Sequence, residues 1–307
     1  MRKNLKFTVA ISALALVLAG CSSAETEKSI GIKVIAAFYP LEFVAKSIGG
    51  DLITIENMTP PGVEPHDLEL TPKQIISLDN ADLLLYISGF QPALEEAATQ
   101  SAPADSLDIL TVSGLNLLGA TEDGHAHGAE KKSAEELVSD PHVWLDPKRL
   151  ILIANAVAAK LAQADPDNSE NYEVNRVAFV SELVALDVKL ASGLASCERR
   201  LIVTAHAAFG YLADAYNLKQ EAIAGLSPEA EPTPKRLNEI RIEAKKDGTT
   251  TIFFETLASP KVAKTLADDL KISADVLDPL EGISAGKTYF SVMESNLIAL
   301  RKALGCK

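Results

Sequence analysis

The sequence is poor in cysteine, in aromatic residues and in positive charge. Of its 307 residues 3 are cysteines, 5% are aromatic, and 42 acidic residues outnumber 29 basic ones, which gives a formal net charge of −13. Nucleic-acid binding requires a basic patch, so we expect no nucleic acid as partner. An acidic chain is compatible with a cationic ligand, although net charge does not locate a site.

Long hydrophobic runs are also missing. The apolar run Phe7–Leu18 has about a dozen residues, whereas a membrane-spanning helix needs about 20. It follows a basic stretch and precedes LAGC, so residues 1–20 are typical of a signal peptide and 21–30 form a polar tether. The LAGC sequence resembles the lipobox of bacterial lipoproteins, in which cleavage leaves the cysteine, here Cys21, lipidated. Cleavage would remove three positive charges and change the net charge from −13 to −16.

The other two cysteines are Cys197 and Cys306. Outside the cytoplasm such a pair is more often oxidised than free, so we expect a disulfide between them. It would close a loop of about 108 residues, for which chain entropy gives a stabilisation of about 4–5 kcal/mol.

After the tether, strand-like and helix-like segments alternate, which indicates a parallel α/β fold. One expected strand is DILTVS, residues 108–113. The segment 167–196 lacks proline and repeats large apolar residues at helical spacing, which predicts a helix of about 45 Å. We therefore predict two Rossmann-like α/β lobes joined by one long rigid helix. The predicted limits are 31–165 for the first lobe, with a charged loop at 121–138, then 166–197 for the helix and 198–307 for the second lobe.

Histidines fall where an α/β fold places its ligands. His66 lies in a Pro/Gly-rich turn after a predicted strand, and His206 ends the strand LIVTAH. Ligands bind outside the carboxyl ends of strands in open α/β sheets, so each lobe contributes one histidine to the expected site. His142, in DPHVWLDP, lies in a loop that leads into a helix. The residues alone leave open whether it is a core histidine, a base or a metal ligand.

A tetrahedral metal site needs one more ligand, for which a carboxylate is the expected type. The tripeptide Leu-Asp-Pro occurs at 145–147 and at 277–279. Asp146 precedes a helical run and is expected to cap it. Asp278 has two glycines behind it before any helix can form, so it is the predicted fourth ligand.

Five stretches resemble the metal-specific solute-binding lipoproteins of ABC importers, the zinc/manganese cluster A-I: GVEPHDLELTP, DPHVWLDP, TAHAAFGYLADAY, SPEAEPTPKRL and LDPL. The resemblance covers nearly the whole chain after the tether. It implies a metal held in the cleft between the lobes by residues matching His66, His142, His206 and Asp278. It also implies a non-enzymatic protein that delivers the ion to a permease and its ATPase. Such a protein would be a monomer held outside the cytoplasm by lipid on Cys21.

Three imidazoles and one carboxylate favour Zn²⁺, whereas hard oxygen ligands favour Mn²⁺. In the resembling family, manganese binders tend to have a carboxylate at the position of His206. Manganese import by the same kind of protein is the alternative. From other classes, a secreted zinc hydrolase and an adhesin-type lipoprotein stay open.

Further residues are candidates for supporting roles. Glu64, Glu69 and Glu255 could orient the imidazoles of the ligands. His125 and His127 lie in the charged loop, which is either simply solvated or a weak auxiliary site of metal capture.

Overall fold

A computed structural model describes residues 31–101, 103–120 and 138–307. The predicted signal peptide and tether, with Cys21, lie outside the described residues, as do His125 and His127. The chain from Gly31 to Lys307 forms one compact unit. In the described part of the chain, no helix combines the length and the hydropathy needed to cross a membrane.

Two parallel four-stranded sheets form the frame of the molecule. The first contains β1 (Ile32–Ala36), β2 (Ile53–Asn57), β3 (Leu83–Tyr86) and β4 (Ser106–Asp108), in the order β2-β1-β3-β4. A short antiparallel pair, β5 (Gly119–Ala120) and β6 (Val138–Ser139), follows. The second sheet contains β7 (Leu201–Thr204), β8 (Lys219–Ala222), β9 (Thr251–Phe254) and β10 (Ser273–Val276), in the order β10-β9-β7-β8. Counted from its own first strand, each sheet has the order 2-1-3-4, which confirms the predicted α/β class.

Most of the described helices alternate with the strands. Their bounds are α1 (Tyr39–Gly49), α2 (Pro72–Asp79), α3 (Pro92–Gln100), α4 (Pro147–Ala164), α5 (Ser169–Leu194), α6 (Gly210–Ala215), α7 (Pro234–Asp247), α8 (Lys261–Leu270) and α9 (Tyr289–Leu304). A side-chain oxygen caps the first turn of four of the described helices, at Thr71, Asp146, Thr233 and Thr288. These caps satisfy backbone N–H groups that the helix cannot pair itself.

The long helix α5 has 26 residues, or about 39 Å. It is slightly shorter than predicted because Pro166–Asn168 forms a separate 3₁₀ turn before it. One face of α5 is buried, and it packs against α1, α4 and α9. The buried residues recur at helical spacing: Tyr172, Phe179, Leu183, Leu186, Leu190 and Leu194.

Apolar side chains from both sheets share one continuous core. It runs from β1 and α1 through α4, α5 and α9 and includes Ile202 and Phe253 of the second sheet. A smaller cluster, with Val203 and Ile252, lies on the second sheet with Ile240 of α7. Because packed cores resist deformation, this continuity limits how far the two sheets can move against each other.

The predicted strand at 108–113 is wrong in position. β4 ends at Asp108, and Ile109–Thr111 forms a 3₁₀ turn. The Asp108 carboxylate accepts hydrogen bonds from the backbone N–H groups of Leu110 and Ser88, each at 3.1 Å. This side-chain cap ends the strand where the apolar pattern alone continues it.

A disulfide joins Cys197 and Cys306, as the sequence predicts. It links the chain just after α5 to the residues after α9. The backbone N–H of Lys307 also donates to the carbonyl of Ser196, at 3.0 Å. The bond therefore closes a loop of sequence separation 109 that contains the whole second sheet.

We expect the double variant Cys197→Ser, Cys306→Ser to fold but to lose about 2–5 kcal/mol of free energy of unfolding, because its unfolded chain is no longer cross-linked. Urea denaturation followed by circular dichroism measures the change. Wild-type protein treated with a reductant is the matched control and should lose the same amount. Equal midpoints for oxidised and reduced wild type would contradict this expectation.

Candidate metal centre

Four side chains that can each offer one ligand atom meet in the interior: His66, His142, His206 and Glu281. Their donor atoms all lie within 4.8 Å of one another. Three of the side chains are 0–1% exposed, and that of His66 is 11% exposed. Across the described ranges, this is the one group of histidine, cysteine and acidic residues with the geometry to hold a metal ion.

Each histidine is placed by the end of a strand or the start of a helix. His66 lies in the 3₁₀ turn Pro65–Asp67 after β2, and His206 follows β7 by two residues. His142 precedes the turn Val143–Leu145, which leads into α4. The two sheets thus face the same point, as expected for ligands at the carboxyl ends of parallel strands.

The spacing of the donor atoms fits a small tetrahedral ion. Oε1 of Glu281 lies 3.2 Å from Nε2 of His142, 3.2 Å from Nε2 of His206 and 3.5 Å from Nε2 of His66. The Nε2 atoms of His142 and His206 are 3.4 Å apart. Ligands placed tetrahedrally at about 2.0–2.1 Å from Zn²⁺ would be about 3.3–3.4 Å apart.

The predicted fourth ligand, Asp278, is not part of this cluster, and Glu281 stands in its place. The Asp278 carboxylate accepts hydrogen bonds from the backbone N–H of Leu280, at 2.8 Å, and from the hydroxyl of Thr256, at 3.0 Å. It caps a turn rather than a helix. The sequence favoured Asp278 because no helix follows it to cap, but an aspartate before proline also commonly forms turns, and that is the role it has here.

This turn is what brings Glu281 inward. Leu280 adopts a left-handed backbone conformation, with φ of 59°, and both Leu280 and Glu281 are buried. A non-glycine residue rarely takes this conformation, and the sequence pattern does not predict it. The one signal in the sequence is an acidic residue, Glu281, set between Leu280 and Gly282 after a strand.

Two buried carboxylates face the Nδ1 atoms of two of the three imidazoles, on the side away from the centre of the cluster. Oε1 of Glu255 lies 2.5 Å from Nδ1 of His206, as the supporting role predicted for Glu255 requires. Oδ1 of Asp140 lies 2.8 Å from Nδ1 of His142, an arrangement that the sequence analysis missed. Because Nδ1 of each of these two rings faces a carboxylate, Nε2 points toward the centre of the cluster. Its lone pair is then available to a metal.

The other two candidate supporting residues differ from the prediction. An Oε1 atom of Glu64 accepts from the backbone N–H of His66, at 3.2 Å, so Glu64 orients the turn and not the ring. Burial and the charge of Glu281 raise the pKa of Glu64 to about 8. Glu69 is exposed and has no hydrogen bond or ion pair with the cluster among the residues that the structure describes.

The imidazoles respond differently to their surroundings. Burial is the largest influence on His206 and lowers its pKa, but the carboxylates of Glu255 and Glu281 outweigh it and hold the pKa well above its usual value. Burial likewise lowers the pKa of His142, but the carboxylates of Asp140 and Glu281 outweigh it and raise the pKa. For His66 burial prevails and lowers the pKa.

Glu281 lies at the centre of this charge balance. Burial raises its pKa, but the facing imidazoles of His206, His142 and His66 outweigh burial, so the pKa is held well below its usual value. A buried anion of this kind is costly in free energy unless positive charge lies nearby. Protons on the imidazoles or a divalent cation can supply that charge. Metal binding at this centre therefore competes with protons.

Two conservative substitutions separate the roles of the acidic residues. Glu281→Gln should weaken Zn²⁺ binding by at least about tenfold, because it removes a charged ligand. Asp278→Asn should change the affinity by less than about threefold, because its amide oxygen can still accept from the Leu280 N–H while its NH2 group can donate to the Thr256 hydroxyl. Competition titration with a fluorescent zinc chelator measures both. The reverse ranking would make Asp278 the ligand.

Comparison with known proteins gives the family. Residues 34–303 match the family model described as zinc-uptake complex component A, periplasmic (ZnuA). The high-affinity zinc uptake system protein ZnuA of Bacillus subtilis (strain 168) is 35% identical over 305 residues, which cover 96% of each chain. The zinc-binding lipoprotein AdcA of Streptococcus pneumoniae is 36% identical over 300 residues, 95% of this chain and 59% of AdcA. The chain therefore spans about three fifths of the length of AdcA.

Solved structures agree with this assignment. The Zn(II)-bound ZnuA-like domain of Streptococcus pneumoniae AdcA has a TM-score of 0.73 and 33% identity, covering 89% of this chain and 99% of that domain. The laminin-binding protein Lmb of Streptococcus agalactiae, described as having adhesin and metal-transporting activity, has a TM-score of 0.77 and 28% identity, covering 89% and 99%. The chain belongs to the ZnuA family, whose members are the solute-binding components of ABC importers and not enzymes.

Proposed function

We propose that this protein captures Zn²⁺ outside the cytoplasm, with His66, His142, His206 and Glu281, and delivers it to the permease of an ABC importer. The observation that carries the proposal is the spacing of the four donor atoms, 3.2–3.5 Å around Oε1 of Glu281, which suits a tetrahedral zinc shell. Membership of the ZnuA family and the zinc binding named for AdcA support the same cargo.

The ligand set favours zinc over manganese. Three of the four donors are imidazole nitrogens, which suit Zn²⁺, whereas Mn²⁺ prefers carboxylate, carbonyl and water oxygens. Nδ1 of His206 is tied to a buried carboxylate, which makes its Nε2 a stronger nitrogen donor. Manganese import stays the alternative cargo.

The centre is built for capture and not for catalysis. A catalytic zinc site has three protein ligands and keeps one position for water. Here four protein donors can close the shell, so no activated water is expected. The geometry of the centre therefore does not support a hydrolytic function.

Metal binding would couple the two halves of the molecule. His66 follows a strand of the first sheet and His206 a strand of the second, so one ion would be bonded to both. The bound and free forms can then differ in shape, and a permease can distinguish them. Because the sheets share one core and the helix α5, we expect small tilts and loop movements rather than a wide hinge.

We further propose that lipid on Cys21 anchors the protein to the outer face of the cell membrane. The LAGC sequence and the description of AdcA as a lipoprotein support this anchor. A permease and an ATPase would be its partners. The protein would act as a monomer, since one chain supplies all four ligands. Lmb is described as both adhesin and metal transporter, so an adhesive role is compatible with metal capture.

Zinc should bind only the folded form and therefore raise the thermal midpoint of chelator-treated protein. Differential scanning calorimetry measures the rise with Zn²⁺ and with Mn²⁺, and we expect the larger rise with Zn²⁺. The matched variant His206→Glu replaces a nitrogen donor by an oxygen donor. It should therefore reduce the difference between the rises in thermal midpoint that Zn²⁺ and Mn²⁺ produce. Metal analysis of protein purified without added metal should find zinc. No rise with either metal would refute the proposal.

Zinc affinity should fall as pH falls, because zinc binds the unprotonated imidazoles. The pKa values of His142 and His206 are raised, so protons compete even near neutral pH and increasingly below it. We expect net proton release on binding at pH 7, measured by calorimetry in buffers of different ionisation enthalpy. Glu255→Gln removes one of the two carboxylates that raise the pKa of His206 and should reduce the number of protons released. A proton count of zero in wild type would contradict this prediction.

A further inference from the structure

Glu281 is the only one of the four clustered residues carried by the long connection between β10 and α9. Strand β10 ends at Val276 and helix α9 begins at Tyr289, and the described residues between them form no helix or strand. A carboxylate on such a connection needs other contacts to hold it within reach of the imidazoles, since irregular segments are otherwise mobile.

Asn296 of α9 supplies the most direct of these contacts. Its Oδ1 accepts a hydrogen bond from the backbone N–H of Asp278, at 2.9 Å, and its Nδ2 donates to the backbone carbonyl of the same residue, at 2.7 Å. Asn296 is 2% exposed. One buried amide thus pairs both backbone polar groups of Asp278, as a neighbouring strand would.

The turn continues from this fixed point to Glu281. The Asp278 carboxylate accepts from the backbone N–H of Leu280, whose left-handed conformation turns the chain inward. The indole N–H of Trp144 donates to the carbonyl of Pro279, at 2.7 Å. Only Pro279 and Leu280 therefore separate Asp278, which Asn296 holds, from the Glu281 carboxylate at the metal centre. Each of the two is held by a hydrogen bond or by burial of its side chain.

We propose that Asn296 is a positioning residue for metal capture: by holding the backbone of Asp278, it keeps the Glu281 carboxylate in reach of the ion. This inference rests on the proposed function. Without the amide, the N–H and C=O of Asp278 lose their partners and the turn is free to shift. Loss of a group bonded directly to a metal ligand typically costs 10–100-fold in metal affinity, and for Asn296, which acts through the backbone of Asp278, we expect the lower end of this range.

A merely structural asparagine would also lower stability when replaced, so affinity has to be separated from folding. The test is a double-mutant cycle on Asn296→Ala and Glu281→Gln, with Zn²⁺ affinity measured by competition with a fluorescent chelator. We expect Asn296→Ala to weaken binding by about tenfold or more in the wild-type background. In the Glu281→Gln background the same change should cost less than about twofold, because the ligand it positions is already impaired.

A spectroscopic readout checks the mechanism. Co²⁺ replaces Zn²⁺ as the probe, and its visible absorption depends on coordination number and ligand set. Asn296→Ala should change this spectrum in the direction that Glu281→Gln changes it. The control Leu300→Ala truncates a fully buried side chain on the same helix and should lower the thermal midpoint while leaving the spectrum unchanged.

Asn296→Asp covers the case in which the alanine variant does not fold. It has nearly the same volume, keeps an acceptor for the Asp278 N–H and loses the donor to the Asp278 carbonyl, so the same cycle can be run with it. Equal losses in both backgrounds, or an unchanged affinity in the wild-type background, would overturn the inference. Wild-type protein that binds no zinc would instead refute the proposed function.

Discussion

The whole arrangement depends on one buried carboxylate that three imidazoles face. Glu281 sits 3.2–3.5 Å from the Nε2 atoms of three histidines that come from distant parts of the chain. Its charge, and those of Asp140 and Glu255 behind two of the rings, would be costly to bury without positive charge nearby. The fold concentrates negative charge at one point where two sheets meet, and a divalent cation offsets most of this charge without requiring protons on the rings.

The surrounding fold explains why this charge can be held so closely. The strand order 2-1-3-4 occurs in both sheets, and each sheet contributes a histidine beyond the carboxyl end of one of its strands, β2 in the first and β7 in the second. The core passes through both sheets and along α5, and the disulfide ties the last residues of the chain to the end of that helix. Such a frame fixes the positions of His206 and Glu255, which lie at the ends of the adjacent strands β7 and β9.

The sequence was most informative where local chemistry decides the structure. The helix start at Asp146 was predictable because a capping oxygen and a following proline act within one turn. His66 and His206 were predictable because they follow strands, whereas the role of His142 was indicated only by the family resemblance. Glu281 was not, because its direction depends on the left-handed Leu280 and on contacts from Asn296, which lies on a helix that begins eight residues later. Asp140 was missed because an acid two residues before a histidine has no distinctive pattern.

The distribution of the ligands along the chain has a consequence for biogenesis. His142 and His206 are 64 residues apart, and Glu281 follows His206 by a further 75. No partial chain that ends before Glu281 contains the complete set of donors. During export, therefore, tight retention of the cation would begin only after nearly the entire polypeptide has emerged and its last strand and helix have assembled. A tightly bound cation would therefore indicate that the chain has finished folding.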